Sequence, residues 1–384
     1  MSIPADPPAP TTWPRLVLIS CALSVVVGVV LLAFSWPAIT AAPRDLPVGI
    51  VGSEKQVDQL ADAIEDGSDG AIELTRFDDR DAAVAAITQR SVSGAVVLGQ
   101  TPMDAPEVLS ATAASTQVSQ MMDGLSSTLQ AQIDAQVRAA VEQQVQAAMS
   151  GQKAPPASGE TPQKFEFPVV TVETTDVVPL SEDDPRGAGL SASMFPLVIG
   201  GILGGVVITL VLKGSGVRRL IALLIYAGAA GLVLTGVLQG LYGALQGDYW
   251  ANAGAMALSI AAISGTITGL AGLVGAAGAG IGAAFTMLIA NPLSGAMVPA
   301  EFIVQPWGAV GQWFPPGAAG TLIRDLSYFS DASTTFPWML LAIWVCVGAV
   351  LTVINLPGRQ SPRSADHAQL GAGKEAAAPA HAAL

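Results

Sequence analysis

Apolar residues along the chain gather into long uninterrupted blocks, with one extended segment between the first and second that alternates instead. The first block, Leu16 to Trp36, holds 21 residues without a charge. Later blocks cover 193–212, 220–243, an uncharged run of 49 residues from Ala251 to Pro299, and 337–356. A helix needs about 20 residues to cross a bilayer, so the long run suits two crossings, 253–274 and 276–299, turning within GAAGAGIG (275–282). The pattern therefore predicts a polytopic α-helical membrane protein with six transmembrane helices: 16–36 first, then a five-helix membrane domain over 193–356.

Between the first two spans, residues 37–192 change period and predict an inserted α/β domain. LPVGIVG (46–52) reads as a buried strand, followed by Ser53 as helix cap and a helix to about Glu65. IELTRF (72–77) is a second strand, DDRDAAVAAITQR (78–90) a capped amphipathic helix and GAVVLG (94–99) a third strand. This βαβαβ order fits a small sheet covered by helices and supplying its own core. Residues 112–149 form a long polar helix carrying Leu125, Leu129, Ile133, Val137, Val141 and Val145 every fourth position. That spacing overshoots the 3.6-residue turn, so the stripe winds around the surface. SGQKAPPASGETPQ (150–163) is a linker by composition, and 167–180 returns as a strand toward the membrane.

Charge gives direction. Lys and Arg flank the spans at Arg15, at Lys213, Arg218 and Arg219 in the KGSGVRR loop, and in the tail at Arg359, Arg363 and Lys374. The alternate loops have almost none, which places both termini of a multi-pass cell-membrane protein in the cytoplasm and domain 37–192 outside. Residues 1–15 are then a cytoplasmic leader and 357–384, rich in Ala, Gly, Ser and Pro, a disordered cytoplasmic tail. For the first span a retained anchor is favoured over a cleaved signal peptide, because its apolar core is long and Pro43 sits badly after TAA (40–42). The chain's net charge is −13, and residues 37–192, with 23 acidic and 9 basic side chains, carry −14 of it. An acidic surface argues against nucleic acid or bare anionic lipid as that domain's partner.

Little chemistry is available. The two cysteines, Cys21 and Cys346, lie in apolar spans, and the two histidines, His367 and His381, lie in the tail. No nucleophile therefore has its usual activating partner, and the chain reads as a non-enzyme without cofactor or metal. Ionisable residues are absent from the span cores, which removes the side chains an ion relay requires. Glycines such as Gly201, Gly205, Gly265 and Gly269 read chiefly as close helix packing, with a flexible, substrate-lining bundle as the other possibility. Asp183, Asp184 and Arg186 read as an ion-paired turn at the membrane surface.

One apolar stretch is heavily punctuated. NPLSGAMVPAEFIVQPWGAVGQWFPP (291–316) carries five prolines, and Phe302, Trp307, Trp313 and Phe314 suit a headgroup boundary.

DDPRGAGLSASMFPLVIGGILGG (183–205), LPVGIVG (46–52), and NPLSG (291–295) followed by GQWFPPGAAGTLIRDLSYF (311–329) together resemble the YhgE/Pip-like membrane proteins, which are similar to the permease subunits of type-2 ABC exporters. The resemblance covers nearly the whole chain and rests on topology. It implies a type-2 ABC permease-like fold in which residues 300–324 re-enter the membrane as short broken helices; a simple surface loop is the alternative. Gly308, Gly311 and Gly317 would sit where those helices meet, Glu301 and Arg324 would mark its wet ends, and Trp307, Trp313, Pro315 and Pro316 would shape it.

The implied function is export of a hydrophobic, lipid-like or peptide substrate by a homodimer or heterodimer of permease-like chains in the lipid bilayer. GAGKEA near Lys374 lacks the first glycine and the Ser or Thr of a phosphate loop, so the ATP-binding cassette ATPase would be a separate chain, docking near Lys213, Arg218 and Arg219. The other reading is a non-transporting scaffold or surface receptor that binds envelope components or a phage through its outer domain.

Overall fold

The computed structural model describes residues 12–68, 70–99, 105–149 and 170–354. Residues 1–11 of the leader, the 150–163 linker and the 357–384 tail lie outside the described residues.

Among the described residues, five helices are long and apolar enough to cross a membrane: α1 (Trp13–Ile39), α5 (Ala188–Val211), α6 (Gly216–Thr235, continued by a π-helical turn to Leu241), α7 (Tyr249–Val274) and α11 (Thr335–Ile354). The predicted spans 16–36 and 253–274 lie within α1 and α7, while 193–212 and 220–243 end one and two residues beyond α5 and Leu241, and 337–356 runs past the described residues at the end of α11; the α/β domain shortens accordingly, since α1 runs to Ile39 and α5 begins at Ala188. The fifth predicted span, 276–299, is corrected. The chain turns at Gly275 (φ 74°) as expected, but α8 covers only Ala276–Phe285 and a π-helical turn ends it at Ala290. Fifteen residues rise about 22 Å, short of the roughly 30 Å of a hydrocarbon core. Pro292 lacks an N–H and cannot donate the next helical hydrogen bond, and beyond Asn291 the apolar run continues as turns.

Helix α7 is the hub, packed against α5, α6, α8, α10 (Pro315–Tyr328) and α11. Its glycines and those facing it bring backbones together: a Cβ on Gly348 of α11 would meet the Gly265 backbone, and one on Gly201 of α5 would lie 2.7 Å from Ile263. Hydroxyls follow the same seams. Ser264 donates to the Gly201 carbonyl at 2.7 Å, and Thr268 and Thr352 lie 3.0 Å apart. The glycine pattern is thus accounted for by tight packing. In contrast α1 is exposed along almost its whole length and rests against the Thr286–Ala290 turn.

The α/β domain is a five-stranded sheet of order β2-β1-β3-β4-β5, from β1 (Leu46–Val51), β2 (Ile72–Phe77), β3 (Ala95–Val97), β4 (Glu107–Ser110) and β5 (Glu173–Asp176). β1 pairs in parallel with β2 and β3, β3 antiparallel with β4, and β4 in parallel with β5. Caps fix the helices. Ser53 donates from both its backbone N and its Oγ to Gln56 Oε1 at the start of α2 (Glu54–Ser68), and Asp79 accepts from Ala82 N at 2.7 Å at the start of α3 (Arg80–Thr88). The strand expected over 167–180 pairs only at Glu173–Asp176, with 167–169 outside the described residues.

The long helix α4 begins at Thr116, not 112, because residues 112–113 first finish the sheet edge. Thr112 N and Oγ1 donate to Asp176, and Ala113 N donates to the Val178 carbonyl. Leu125, Leu129 and Ile133 of α4 pack on the sheet, while Val137 and Val141 stay half-exposed. At the edge Arg80 grips Glu107 with two bonds of 2.7 and 2.8 Å, and Thr175 donates a third at 2.6 Å. The Arg80 hydrogen bond is the main reason the Glu107 carboxyl titrates below its ordinary range.

Two corrections concern the junction with the bundle. The 183–187 turn holds no ion pair among the described residues; Asp184 instead caps α5, accepting from Ala188 N and Gly189 N at 2.9 and 2.7 Å. Nor does the α/β core close on its own residues: Phe329, from the segment after α10, is 2% exposed within it, among Val51, Ala83, Ile87, Leu109 and Val178.

Candidate functional site

Residues 291–329 build the site. After α8 the chain forms a 3-10 turn (Ala300–Phe302), a five-residue helix α9 (Trp307–Gly311) and then α10. Pro315 and Pro316 occupy the first turn of α10, where a missing N–H costs nothing, and both are buried. The three glycines sit where the pieces touch. A Cβ on Gly308 would strike the Ala300 carbonyl, one on Gly311 the Leu293 carbonyl, and one on Gly317 the Gly311 carbonyl. Gln312 joins the arms, donating to Ser294 O at 3.1 Å and accepting from Thr321 Oγ1 at 2.8 Å.

Two helices measure how far this hairpin descends. The Trp313 carbonyl accepts from Trp344 Nε1 at 3.0 Å, and Trp344 lies nine residues, about 13 Å, along α11 from its first residue. The Phe314 ring meets Phe285 edge-on at 5.3 Å, and Phe285 lies about 14 Å along α8 from the opposite end of the bundle. Both place the α9–α10 tip near mid-height. From there α10 climbs to the domain end, where Tyr328 donates to the Ala244 carbonyl at 2.8 Å. Trp307 and Trp313 remain about half-exposed, at 46% and 59%.

Between hairpin, α5 and the α/β domain lies a cavity of about 390 Å³. The domain contributes Ile87, Arg90, Val92 and residues 111–118; the bundle contributes Leu190, Ser191, Met194, residues 294–301, Gln312, Thr321, Arg324, Phe336 and Pro337. Arg90 adopts the left-handed conformation just beyond α3 (φ 59°), a position usually left to glycine. From there its guanidinium pairs with the buried Asp325 and lies 5.3 Å over the Phe329 ring. Arg324 also lines the cavity, and its Nε is closed off from solvent with no hydrogen-bond partner.

The chain matches no protein-family model, no curated protein and no solved structure. What stands on its own is a mostly helical molecule with, among the described residues, five helices long and apolar enough to cross a membrane, an architecture consistent with a multi-pass membrane protein.

Of the residues singled out in sequence, Gly308, Gly311, Gly317, Pro315 and Pro316 shape the hairpin, and Glu301 and Arg324 share the cavity. The basic loop is separate, at the far end of the bundle: Gly216 there abuts Thr352, near the end of α11. Lys213 and Arg218 are exposed, whereas Arg219 Nε donates to the Leu212 carbonyl at 3.2 Å and so completes the end of α5. Arg90, Asp325 and Phe329 escaped the sequence reading; an Arg-Asp pair at 324–325 amid apolar residues was the one available signal.

Proposed function

We propose that this chain is the permease-like membrane subunit of an ABC-type export system, moving a hydrophobic, lipid-like or peptide substrate with a separate ATPase. The observation that carries this reading is the hairpin cavity. Broken helices whose tip stands at mid-height wall a space lined by both apolar and polar side chains. Such backbone is tolerated at membrane depth where it is buried in protein or lines a cavity. On this reading residues 300–324 re-enter the bilayer, the α/β domain faces outward, both termini are cytoplasmic, and exposed Lys213 and Arg218 meet the ATPase. Two copies then enclose one path, as the resemblance to YhgE/Pip-like proteins implies.

The test is purification of the full chain in mild detergent, identification of copurifying chains by mass spectrometry, and ATP-dependent movement of a fluorescent lipid in proteoliposomes holding both components. A nucleotide-binding partner with ATP-dependent transfer supports the proposal. A chain that retains its cellular role after every ATPase partner is removed overturns it and favours the scaffold or receptor reading. That rival has one structural point in its favour: the second half of α4 keeps Val137 and Val141 half-exposed.

A further inference from the structure

We propose that the cavity between hairpin, α5 and α/β domain binds the anionic headgroup, phosphate or carboxylate, of an amphiphile, with Arg324 as its main contact. This deepens the export reading by naming the substrate class, and rests on that reading for the occupant being cargo.

The two guanidinium groups of the lining differ in a decisive way. Arg90 is satisfied by Asp325 and Phe329, whereas Arg324 makes no ion pair among the described residues and keeps its Nε unpartnered and out of water. A guanidinium N–H closed off from water without an acceptor is costly, and an oxyanion offers the acceptor that Nε lacks. Gln312 and Thr321 are already held by their mutual hydrogen bond, so further polar groups stand ordered on the same wall. The volume of about 390 Å³ falls in the range of small-ligand sites, roughly 300–1,000 Å³.

An apolar wall distinguishes an amphiphile from a free anion: Leu190 and Met194 line the cavity from α5 and Phe336 from the start of α11. Glu301 also faces the cavity but forms no ion pair with Arg324. Its charge opposes any anion and supplies a variant of opposite sign.

The experiment titrates the full chain in mild detergent with phosphatidylglycerol, with phosphatidylcholine of the same acyl chains, and with inorganic phosphate, reading bound lipid by native mass spectrometry and phosphate by shift of the unfolding temperature. Wild type should prefer phosphatidylglycerol by about tenfold, Arg324→Gln should erase that preference, and Glu301→Gln should strengthen it about threefold. Glu301 makes no side-chain hydrogen bond among the described residues, so the second variant carries the test if the first fails to fold.

Equal binding of the two lipids, or a preference indifferent to both substitutions, overturns the proposal. So does an Arg324-dependent response to inorganic phosphate without selective lipid binding, which marks a free-anion site. Selective binding without ATP-dependent transfer leaves the site standing and removes the export reading; transfer indifferent to both substitutions does the reverse.

Discussion

Replacing Phe329 with Ala should loosen the α/β domain from a position that belongs, in sequence, to the helical bundle. The ring is 2% exposed and surrounded by Val51, Ala83, Ile87, Leu109 and Val178, so truncation leaves a cavity in the domain core. Phe→Ala at such sites costs about 3–5 kcal/mol. The ring also supports the Arg90 guanidinium at 5.3 Å, a contact worth about 0.5–2 kcal/mol that disappears with it. If domain opening carries this loss, amide exchange in α3 and β3 should accelerate by at least about a hundredfold, since each 1.4 kcal/mol is tenfold. Hydrogen–deuterium exchange with mass spectrometry on the detergent-solubilised chain measures it. Phe336→Ala is the control: that ring is 39% exposed and lies on Trp313, outside the domain core. Exchange in α3 and β3 that changes by less than threefold in Phe329→Ala, with the chain still folded, would refute the role assigned to this residue.

Further outcomes follow from other contacts. Gly311→Ala should sharply lower folded yield in detergent, measured by size-exclusion chromatography, because its Cβ would strike the Leu293 carbonyl; Gly280→Ala, with nothing within 4 Å of its Cβ, should be tolerated. A cysteine at 311 should resist a membrane-impermeant thiol reagent that labels one at the exposed Ser330, and equal labelling would leave a surface loop. Glu107→Gln should cost the domain about 0.5–1 kcal/mol at pH 7, as Arg80 is half exposed. Because the folded Glu107 carboxyl titrates below its ordinary 4.5, that contribution is complete above about pH 4.5 and is lost as pH falls through the lower folded value, so exchange profiles of mutant and wild type should converge there. Reporter fusions in the Lys213 loop should read cytoplasm and fusions near Gly151 the exterior; the same side for both would overturn the orientation.

The long spans were legible because hydropathy and length are local properties, and the turn at Gly275 because a glycine there is free to take a positive φ. Hydropathy does not report the path of the backbone, and 291–299 continues the uncharged run while folding as turns. Two signals on the α/β domain were equally local: a capped helix within 78–90, where Asp79 turns out to be the cap, and the strand at 46–52 both appear where expected. Strand β4 did not announce itself, with four residues beginning at Glu107 and its pairing supplied by β3 and β5. The Arg90–Asp325 pair spans 235 positions, and Phe329 completes a core built mostly before residue 115. Nothing in a single sequence records which distant segment will fill such a gap.

The hub position of α7 bears on how the chain is made. It is the least apolar of the five long helices and the most buried, and it carries Asn252, Ser259, Ser264 and Thr268 with almost no surface exposed. Entering lipid alone, it would expose these groups, whereas α1 is apolar all round and needs no neighbour. During synthesis α1 can settle in the bilayer as it emerges, but α7 depends on α5 and α6 already waiting beside the insertion machinery and on α11, made last, to close over the Thr268 hydroxyl. Lesions along the Gly201, Gly265 and Gly348 seams should therefore show themselves first at the ribosome, as chains that never acquire their topology, and only secondarily as a finished molecule that falls apart.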